Sequence, residues 1–309
     1  MRNQTIRWLA SVLLAQLLIA TAVYMWQREQ QQPFTPSLLL QALDQSTLKK
    51  VVITDHDRSV TLEKNQDNWQ LPDYDDLKAA PKKLSNLMHT ILSMKTHWPT
   101  ATTPSSHQRF ELTETNYQRK IEIYSHNELV ETLYIGSSAA FKKSHLRKAS
   151  DNHVYSAKLN AYDLPTEQHA WMDKGLLKID TIKHIHYDAF DVTYHDDKWT
   201  LETTPKSEAL ASLTANQTVI EMLQTTLANL QVGELVAKPP SISTDNQIRF
   251  EVTTDRTLTY YLMQNQSQYF VKRSDTPQTF TLNQADYAKL LKVKELTQPI
   301  NTEKTTTSS

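Results

Sequence analysis

Polar and apolar residues alternate at a spacing of two along much of the chain, which is typical of strands that bury one face of a sheet. The alternation forms two similar series, at residues 51–53, 59–62 and 69–71 and at residues 182–185, 190–192 and 199–201. The spacing from Val60 to Trp69 equals that from Phe190 to Trp199. We therefore expect an internal repeat with a period of roughly 130 residues.

One stretch of helical spacing follows each series of predicted strands. The first stripe consists of Leu84, Leu87, Met88, Ile91 and Met94. The second consists of Val219, Leu223, Leu227 and Leu230. Pro81 suits the first turn of the first helix, and Thr214 with Gln217 fits a capping box before the second.

Four further alternating segments follow each predicted helix. They are residues 120–124, 129–135, 145–148 and 154–159 in the first copy, and 247–252, 258–263, 269–273 and 279–282 in the second. Asn160-Ala161-Tyr162 and Ala285-Asp286-Tyr287 then occupy matching places. The pattern predicts two similar lobes, each an antiparallel meander with one packed amphipathic helix.

The first thirty residues contain an uncharged run from Trp8 to Trp26. As a helix, this run would be about 28 Å long, close to the ~30 Å hydrocarbon core of a bilayer. Its candidate anchor residues are Trp8, Leu13, Leu17, Tyr24 and Trp26. Arg2 and Arg7 precede the run, so we expect a cytoplasmic N-terminus and a periplasmic bulk in the bacterial inner (cytoplasmic) membrane.

A cleaved signal peptide is the alternative, because Ala20-Thr21-Ala22 fits a small-x-small cleavage site. The apolar run continues through residues 23–26, and this continuation favours a retained anchor. Cleavage after Ala22 stays open at this point.

The full prediction is an α+β fold in which a single N-terminal transmembrane helix precedes the two lobes. Its segments are an anchor at 1–28, a linker at 29–48, a first repeat at 49–169, a connector at 170–180, a second repeat at 181–296 and a disordered tail at 297–309.

Composition excludes several classes of function. Phosphate-binding loops need clustered glycines, but the three glycines of this chain, Gly136, Gly175 and Gly233, are far apart. The absence of cysteine excludes thiol nucleophiles, thiolate zinc sites, disulfides and a lipidated cysteine. The net charge of −1, with both signs interspersed, does not indicate a nucleic-acid binder.

Several longer phrases carry a resemblance to a known family. They are NWQLPD at 68–73, ATTPSSHQRFEL at 101–112, LYIGSSAAFKKSHLRK at 133–148, VYSAKLNAYDL at 154–164 and WMDKGLL at 171–177. With the leading anchor, they resemble the bacterial domain-of-unknown-function family 4340. The resemblance implies a single-pass extracytoplasmic protein that is often encoded beside an ABC-type exporter and a gliding-motility-type auxiliary membrane protein. It implies no catalytic or ligand residues.

Two clusters have the composition of chemical sites. His184, His186 and Asp188 would share one face of a strand and could converge on a metal ion, although alternation alone produces a solvated polar face with the same pattern. Ser105, Ser106 and His107 offer hydroxyls beside an imidazole, but a serine-rich loop is the simpler interpretation because no glycines form a nucleophile elbow. We expect no catalytic residue, cofactor or metal ligand.

A basic segment provides the candidate contacts with a partner or anion. The candidate contact residues are Lys142, Lys143, His145, Arg147, Lys148 and Trp171. The basic residues could meet anionic lipid, a polyanionic glycan or an acidic surface, or they could simply protect an edge strand. Trp171 suits either a partner contact or an interlobe core.

The leading hypothesis is a non-enzymatic accessory subunit of an envelope ABC-type transport complex. Its extracytoplasmic part would contact the permease, a partner ectodomain or the exported substrate, with the permease, the ATPase and the gliding-motility-type protein as partners. The alternative is an extracytoplasmic ligand-binding or hydrolytic protein that acts on cell-wall glycan or lipid.

Overall fold

The computed structural model describes residues 2–30, 36–40, 43, 46–202, 212–239 and 247–299. Within the first helix, α1 (Arg2–Gln30), it describes the side chains of Trp8 and of residues 12–25. The side chain of the candidate anchor residue Trp26, much of the predicted linker, and residues 300–309 of the predicted tail lie outside this part. Among the described residues, no helix has the combination of length and apolar character needed to cross a membrane.

The fold is α+β, and the described residues form two large antiparallel sheets, one two-stranded sheet and few helices. The chain forms two compact units, one made of residues 1–73 and 82–167 and the other of residues 74–81 and 168–309. The short segment at 74–81 therefore belongs to the second unit. There, Ala80 N donates to the carbonyl of Trp171 and Asp173 N donates to the carbonyl of Lys78.

Seven strands of the first unit lie in the order β3-β2-β1-β5-β6-β7-β8. Their bounds are β1 Leu48–Thr54, β2 Ser59–Asn65, β3 Asn68–Leu71, β5 Arg119–Ser125, β6 Glu128–Ala140, β7 Lys143–Lys148 and β8 Tyr155–Ala157. The short strand β4 (Leu77–Lys78) falls in the chain segment that belongs to the second unit. Val51, Ile53, Val60 and Leu62 are buried, as the alternation predicts.

The seven strands of the second sheet have the same order along their sheet, β11-β10-β9-β13-β14-β15-β16. Their bounds are β9 His184–Tyr187, β10 Phe190–His195, β11 Lys198–Glu202, β13 Gln247–Thr253, β14 Thr257–Asn265, β15 Gln268–Arg273 and β16 Thr279–Leu282. In both sheets the first three strands precede a helix and the other four follow it. The two sheets thus share one order of connection.

The helix after the first three strands is α2 (Pro81–Leu92) in one case and α4 (Gln217–Ala228) in the other. Each buries one stripe: Leu84, Leu87, Met88 and Ile91 in α2, and Val219, Ile220, Leu223, Thr226 and Leu227 in α4. The other α-helices among the described residues are α3 (Ser105–Arg109) and α5 (Gln284–Leu290).

The predicted capping box before α4 is wrong. Asn216 caps the helix, and its side chain accepts a hydrogen bond from Val219 N. Thr214 instead lies in β12 (Leu213–Ala215), where it pairs with Gln298 of β17 (Thr297–Pro299). The strand β17 also corrects the predicted tail, because residues 297–299 are ordered in a ladder that the local sequence does not indicate.

The predicted match of Asn160-Ala161-Tyr162 with Ala285-Asp286-Tyr287 is shifted in register. The side chains of Asn160 and Asn283 cap equivalent helical turns, each by accepting a hydrogen bond from the N–H of an aspartate three residues later. Tyr287 is therefore equivalent in position to Leu164, and both are buried, whereas Tyr162 is 96% exposed.

A cross-strand tyrosine–arginine pair occurs at the same place in both sheets. Tyr134 of β6 faces Arg147 of β7, and Tyr260 of β14 faces Arg273 of β15. The guanidinium carbon of Arg147 lies 4.7 Å from the Tyr134 ring centroid. Arg147 Nε donates to the carbonyl of Leu112 at 2.9 Å, and Nη1 donates to the carbonyl of Lys148 at 3.1 Å. Buried polar groups need such partners, so this arginine has a structural role.

In the second unit, Arg273 holds the segment that contains Leu176. Its Nη2 donates to the carbonyl of Leu176 at 3.1 Å, and its Nε pairs with Asp275 Oδ1 at 2.6 Å. Burial raises the pKa of Tyr260 to about 12, so this phenol keeps its proton. Its hydroxyl donates to the carbonyl of Leu177 at 2.6 Å. The segment after Trp171 is thereby held on the sheet.

Gly136 of β6 allows the backbone to approach closely in the first unit. A Cβ placed there would lie 2.0 Å from the Phe110 carbonyl oxygen and 2.6 Å from that of Glu111. Ser137 N donates to the same Phe110 carbonyl at 3.0 Å. The segment after α3 thus lies directly on β6, where no side chain fits.

We expect Gly136→Ala to lower the free energy of unfolding by roughly 1–3 kcal/mol, the usual cost of overpacking a close contact. Gly175→Ala is the matched control, because its Cβ would come closest to the flexible end of the Lys178 side chain, at 3.0 Å, and not to backbone atoms. Urea unfolding of both variants measures the difference. Equal stability of the two would contradict the close approach at Gly136.

We expect Arg147→Met to lower the free energy of unfolding by about 1–3 kcal/mol, because the buried carbonyl of Leu112 loses its donor. The control is Lys142→Met at an exposed turn position of the same basic segment. Its unfolding free energy should change by less than about 0.5 kcal/mol. Unfolding of both variants followed by circular dichroism decides between a structural and a surface role for Arg147.

Candidate functional site

A cavity of about 560 Å³ lies beside α2 in the first unit. An adjoining cavity of about 380 Å³ shares Thr90 and Lys158 with it. We call the two together the basic groove. The side chains that characterise it are His89, Lys95, His97, Lys143, Ser156 and Lys158. Cavities of this size accommodate small ligands or the head of a larger one.

The charge of the larger cavity is one-sided. Its lining includes Lys95, Lys143 and Lys158 and contains no acidic residue. Within the described residues, none of these three ammonium groups has a carboxylate oxygen within 4.0 Å. Three uncompensated ammonium groups create a positive potential that attracts anions.

The acidic residue of the adjoining cavity is Asp163. Its carboxylate accepts a hydrogen bond from Asn160 Nδ2 at 2.6 Å as part of the helical cap. This carboxylate therefore serves the fold of the turn after β8. It lines the end of the groove away from Lys95 and Lys143, which belong to the larger cavity alone.

Local structure explains how distant residues form this groove. The apolar stripe of α2 is buried, so the remaining side of the helix presents His89 and Thr90 outward. The Thr90 hydroxyl donates to the carbonyl of Asn86 at 2.8 Å. Lys143 is the first residue of β7, and Lys158 follows the edge strand β8. The groove is thus built from one helix and one edge of the sheet.

Three strongly exposed aromatic residues accompany the groove. Tyr162, Phe141 and Trp98 are 96%, 87% and 73% exposed, and no other large hydrophobic residue in the described part of the chain is as exposed. Tyr162 lines the adjoining cavity. Trp98 follows His97 of the groove, and Phe141 precedes the turn residue Lys142. The Lys142 ammonium lies 5.4 Å from the Phe141 ring centroid.

The chain enters the first unit next to this groove. Leu38 forms an antiparallel bridge with Lys95, and Leu39 N donates to the carbonyl of Met94 at 2.7 Å. Thr96 N donates to the carbonyl of Ser37 at 2.8 Å. Leu39 and Leu40 are buried, although both fall within the predicted linker at 29–48. The segment that comes from α1 is therefore fixed to the wall of the groove.

The structure divides the predicted contact residues. Lys142 is exposed in the turn between β6 and β7, and Lys143 lines the groove. Lys148 is half-buried at the end of β7. Arg147 is 7% exposed, so it is not available to a partner.

His145 and Trp171 are also unsuited to a contact surface. The His145 ring packs on Phe110 at 4.2 Å between centroids, and its Nδ1 lies 3.0 Å from the carbonyl oxygen of Ser137. Trp171 is fully buried. Large aromatic side chains at such positions pack against their own chain, which is the simpler of the two interpretations that the sequence allowed.

The candidate residues His184 and His186 contact the carboxylate of Asp191 and not that of Asp188, which the sequence indicates. His184 Nε2 and His186 Nδ1 each lie 2.9 Å from Asp191 Oδ1 on the neighbouring strand β10. Asp188 instead occupies the turn between β9 and β10, with a φ of 56°. In the part of the chain that the structure describes, no group of three or more possible ligands is arranged to hold a metal ion.

Ser105, Ser106 and His107 form the short helix α3 rather than a loop. The Ser106 hydroxyl donates to the carbonyl of Thr103 at 2.6 Å. The His107 ring is buried, and its Nε2 lies 2.9 Å from the carbonyl oxygen of Asn152. These partners are backbone groups, so the segment has the contacts of a structural helix and not those of a nucleophile with its base.

The sequence-based predictions of contact residues include only one residue of the groove, Lys143. Lys143 belongs to the basic segment, but Lys95 and Lys158 are single basic residues with no lysine or arginine beside them in the sequence. His89 and His97 likewise lack a local motif. The exposed aromatic residues beside lysine or histidine, Trp98 and Phe141, are the signal that a closer reading of the sequence offers.

The groove is suited to hold an anion. Ammonium groups bind phosphate or carboxylate oxygens through charge-assisted hydrogen bonds. Ser93 and Ser156 add hydroxyl groups that can donate to the same oxygens.

No curated protein and no solved structure matches this chain. The profile of a family described as "Domain of unknown function (DUF4340)" matches residues 69–249, more than half of the chain. The matched range includes α2, most of the first unit and the strands β9 to β11. On this match, the chain belongs to the DUF4340 family.

Proposed function

We propose that this chain is a non-enzymatic accessory subunit of an envelope ABC-type transport complex. In this proposal α1 anchors it in the bacterial inner membrane, and both units lie on the periplasmic side. Its partners are the permease, the ATPase and a gliding-motility-type auxiliary membrane protein. The family resemblance supplies the expected companions, and the character of α1 supplies the physical argument.

The observation that carries the proposal is the apolar surface of α1. Each side chain from Val12 to Met25 is exposed, and this stretch includes four leucines. A polar side chain within it, Thr21, donates its hydroxyl to the carbonyl of Leu17 at 2.7 Å, and so its polar group is satisfied inside the helix. An apolar helical surface of this kind is stable only against lipid or another apolar surface.

The charges flanking the uncharged run give the orientation. Arg2 and Arg7 precede it, whereas Arg28 and Glu29 follow it and nearly cancel. The positive-inside rule then places the N-terminus in the cytoplasm. In this orientation the helix would contact the permease within the bilayer, and the two units would meet the outer face of the complex.

The second candidate is an extracytoplasmic protein that binds or hydrolyses cell-wall glycan or lipid. The larger cavity of the basic groove favours it, because its three lysines and its serine hydroxyl groups suit an anionic ligand. Binding of a soluble anionic wall glycan by the intact protein, with no transporter attached, would favour this candidate.

The test is purification of the full chain from native membranes in mild detergent, followed by mass spectrometry. We expect an exporter ATPase and permease to copurify. The matched variant Leu13→Arg/Leu17→Arg should lose both partners and leave the membrane fraction, because each central arginine costs about 2.5–3.5 kcal/mol in a membrane helix.

Two results would contradict the proposal. One is a preparation that retains other membrane complexes but lacks both exporter components. The other is a bulk domain that protease added to spheroplasts cannot cut, since the proposal places residues after α1 outside the cytoplasm.

A further inference from the structure

We infer that the basic groove of the first unit binds the anionic phospholipid headgroups of the leaflet in which α1 ends. The inference rests on the membrane anchoring in the proposed function and adds a lipid-binding site to it. Four observations combine: the charge of the groove, its exposed aromatic residues, the entry of the chain beside it, and its size.

The charge matches a lipid phosphate. Lys95, Lys143 and Lys158 line one cavity that contains no acidic residue. An anionic membrane surface attracts basic side chains within a Debye length. A cavity of about 560 Å³ is large enough for a phosphoglycerol head and the hydroxyl groups that would contact it.

The aromatic residues distinguish a bilayer surface from a free anion. Tryptophan and tyrosine prefer the layer between headgroups and hydrocarbon, because an apolar ring and a polar edge are both satisfied there. Trp98 and Tyr162 are 73% and 96% exposed. Phe141, at 87% exposure, adds an apolar ring next to Lys142. A soluble phosphate or glycerophosphate provides no hydrocarbon layer for these rings to contact.

The covalent path places the groove near the bilayer. α1 ends at Gln30, and Ser37 is already hydrogen-bonded to Thr96 beside Lys95. Seven residues span at most about 25 Å when fully extended. A tether this short holds the groove at a high effective concentration relative to the lipid surface. This reach is the reason for choosing lipid over an acidic protein or a glycan.

The chain contains no cysteine, so one introduced cysteine carries a label at a single position. We would attach a small fluorophore to Thr100→Cys, which is exposed two residues after Trp98 and does not line the groove, and to Asp67→Cys, in the turn between β2 and β3. Five strand spacings, about 25 Å, separate β2 from β8. The full chain is placed in nanodiscs of phosphatidylcholine or of a phosphatidylcholine–phosphatidylglycerol mixture.

The measurement is fluorescence quenching by lipids that carry a spin label on the headgroup. We expect strong quenching at residue 100 in the discs with phosphatidylglycerol and weak quenching in phosphatidylcholine alone. The label at residue 67 should be quenched weakly in both. Equal quenching at residue 100 in the two lipid mixtures would overturn the inference.

Two charge-reversed variants separate the groove from general charge. Lys95→Glu/Lys158→Glu should lower the docking equilibrium constant by about 30-fold or more, the effect of losing two lysines near an anionic surface. Lys49→Glu/Lys64→Glu makes the same change of charge on β1 and β2 and should leave docking unchanged. Equal loss in both variants would reduce the effect to net charge and overturn the site.

Further controls keep the outcomes distinct. Equal unfolding midpoints of the two double variants confirm that the comparison concerns binding. If the chain does not enter nanodiscs at all, the proposed anchoring fails. If the chain inserts and copurifies with a transporter but does not dock, the lipid site alone is wrong. If inorganic phosphate binds while the bilayer does not, the groove holds free anions, and the inference is overturned.

Discussion

A buried guanidinium between two neighbouring strands is the interaction on which each unit depends. Arg147 and Arg273 occupy equivalent positions, each facing a tyrosine on the preceding strand. A buried arginine is tolerable only when its donors are used, and here backbone carbonyls of segments outside the sheet accept them. Each arginine thereby satisfies its buried donors and, through the same hydrogen bonds, fixes the position of a loop.

This role of Arg147 also determines the nature of the groove. β7 begins with Lys143, which faces the groove, and nearly ends with Arg147, which is locked into the first unit. The strand therefore presents its lysine from a rigid support. Gly136 contributes because its lack of a side chain lets the segment after α3 lie on β6. The carbonyl of Leu112 in that segment accepts the hydrogen bond from Arg147. The basic segment is one stretch of sequence with two different tasks.

Periodicity predicted what depends on local burial. The strands around Val51 and Phe250 and the buried stripes of α2 and α4 follow from it. Contacts between residues far apart in the sequence determine the rest. Thr214 lies in β12, which pairs with residues 297–299 as β17, and Trp171 is buried in the core. The groove was equally hidden, because Lys95, Lys143 and Lys158 meet only after α2 lies beside the β7–β8 edge. No local pattern encodes which isolated lysines will share a cavity.

Comparison of the two sheets indicates that the lysines of the groove are not a requirement of the fold. Counting from the equivalent arginines, Lys143 corresponds to Tyr269, four residues before Arg273. Through the next ladder, Lys158 corresponds to Leu282. In the second unit, Tyr269 packs on the buried Tyr287 at 4.6 Å between ring centroids, and Leu282 is buried.

The same architecture is thus stable with apolar contacts where the first unit has exposed ammonium groups. Like charges in one cavity repel one another, and a bound anion would reduce that repulsion. The lysines at these positions are therefore specific to the first unit, and they give its groove a positive potential that suits an anion.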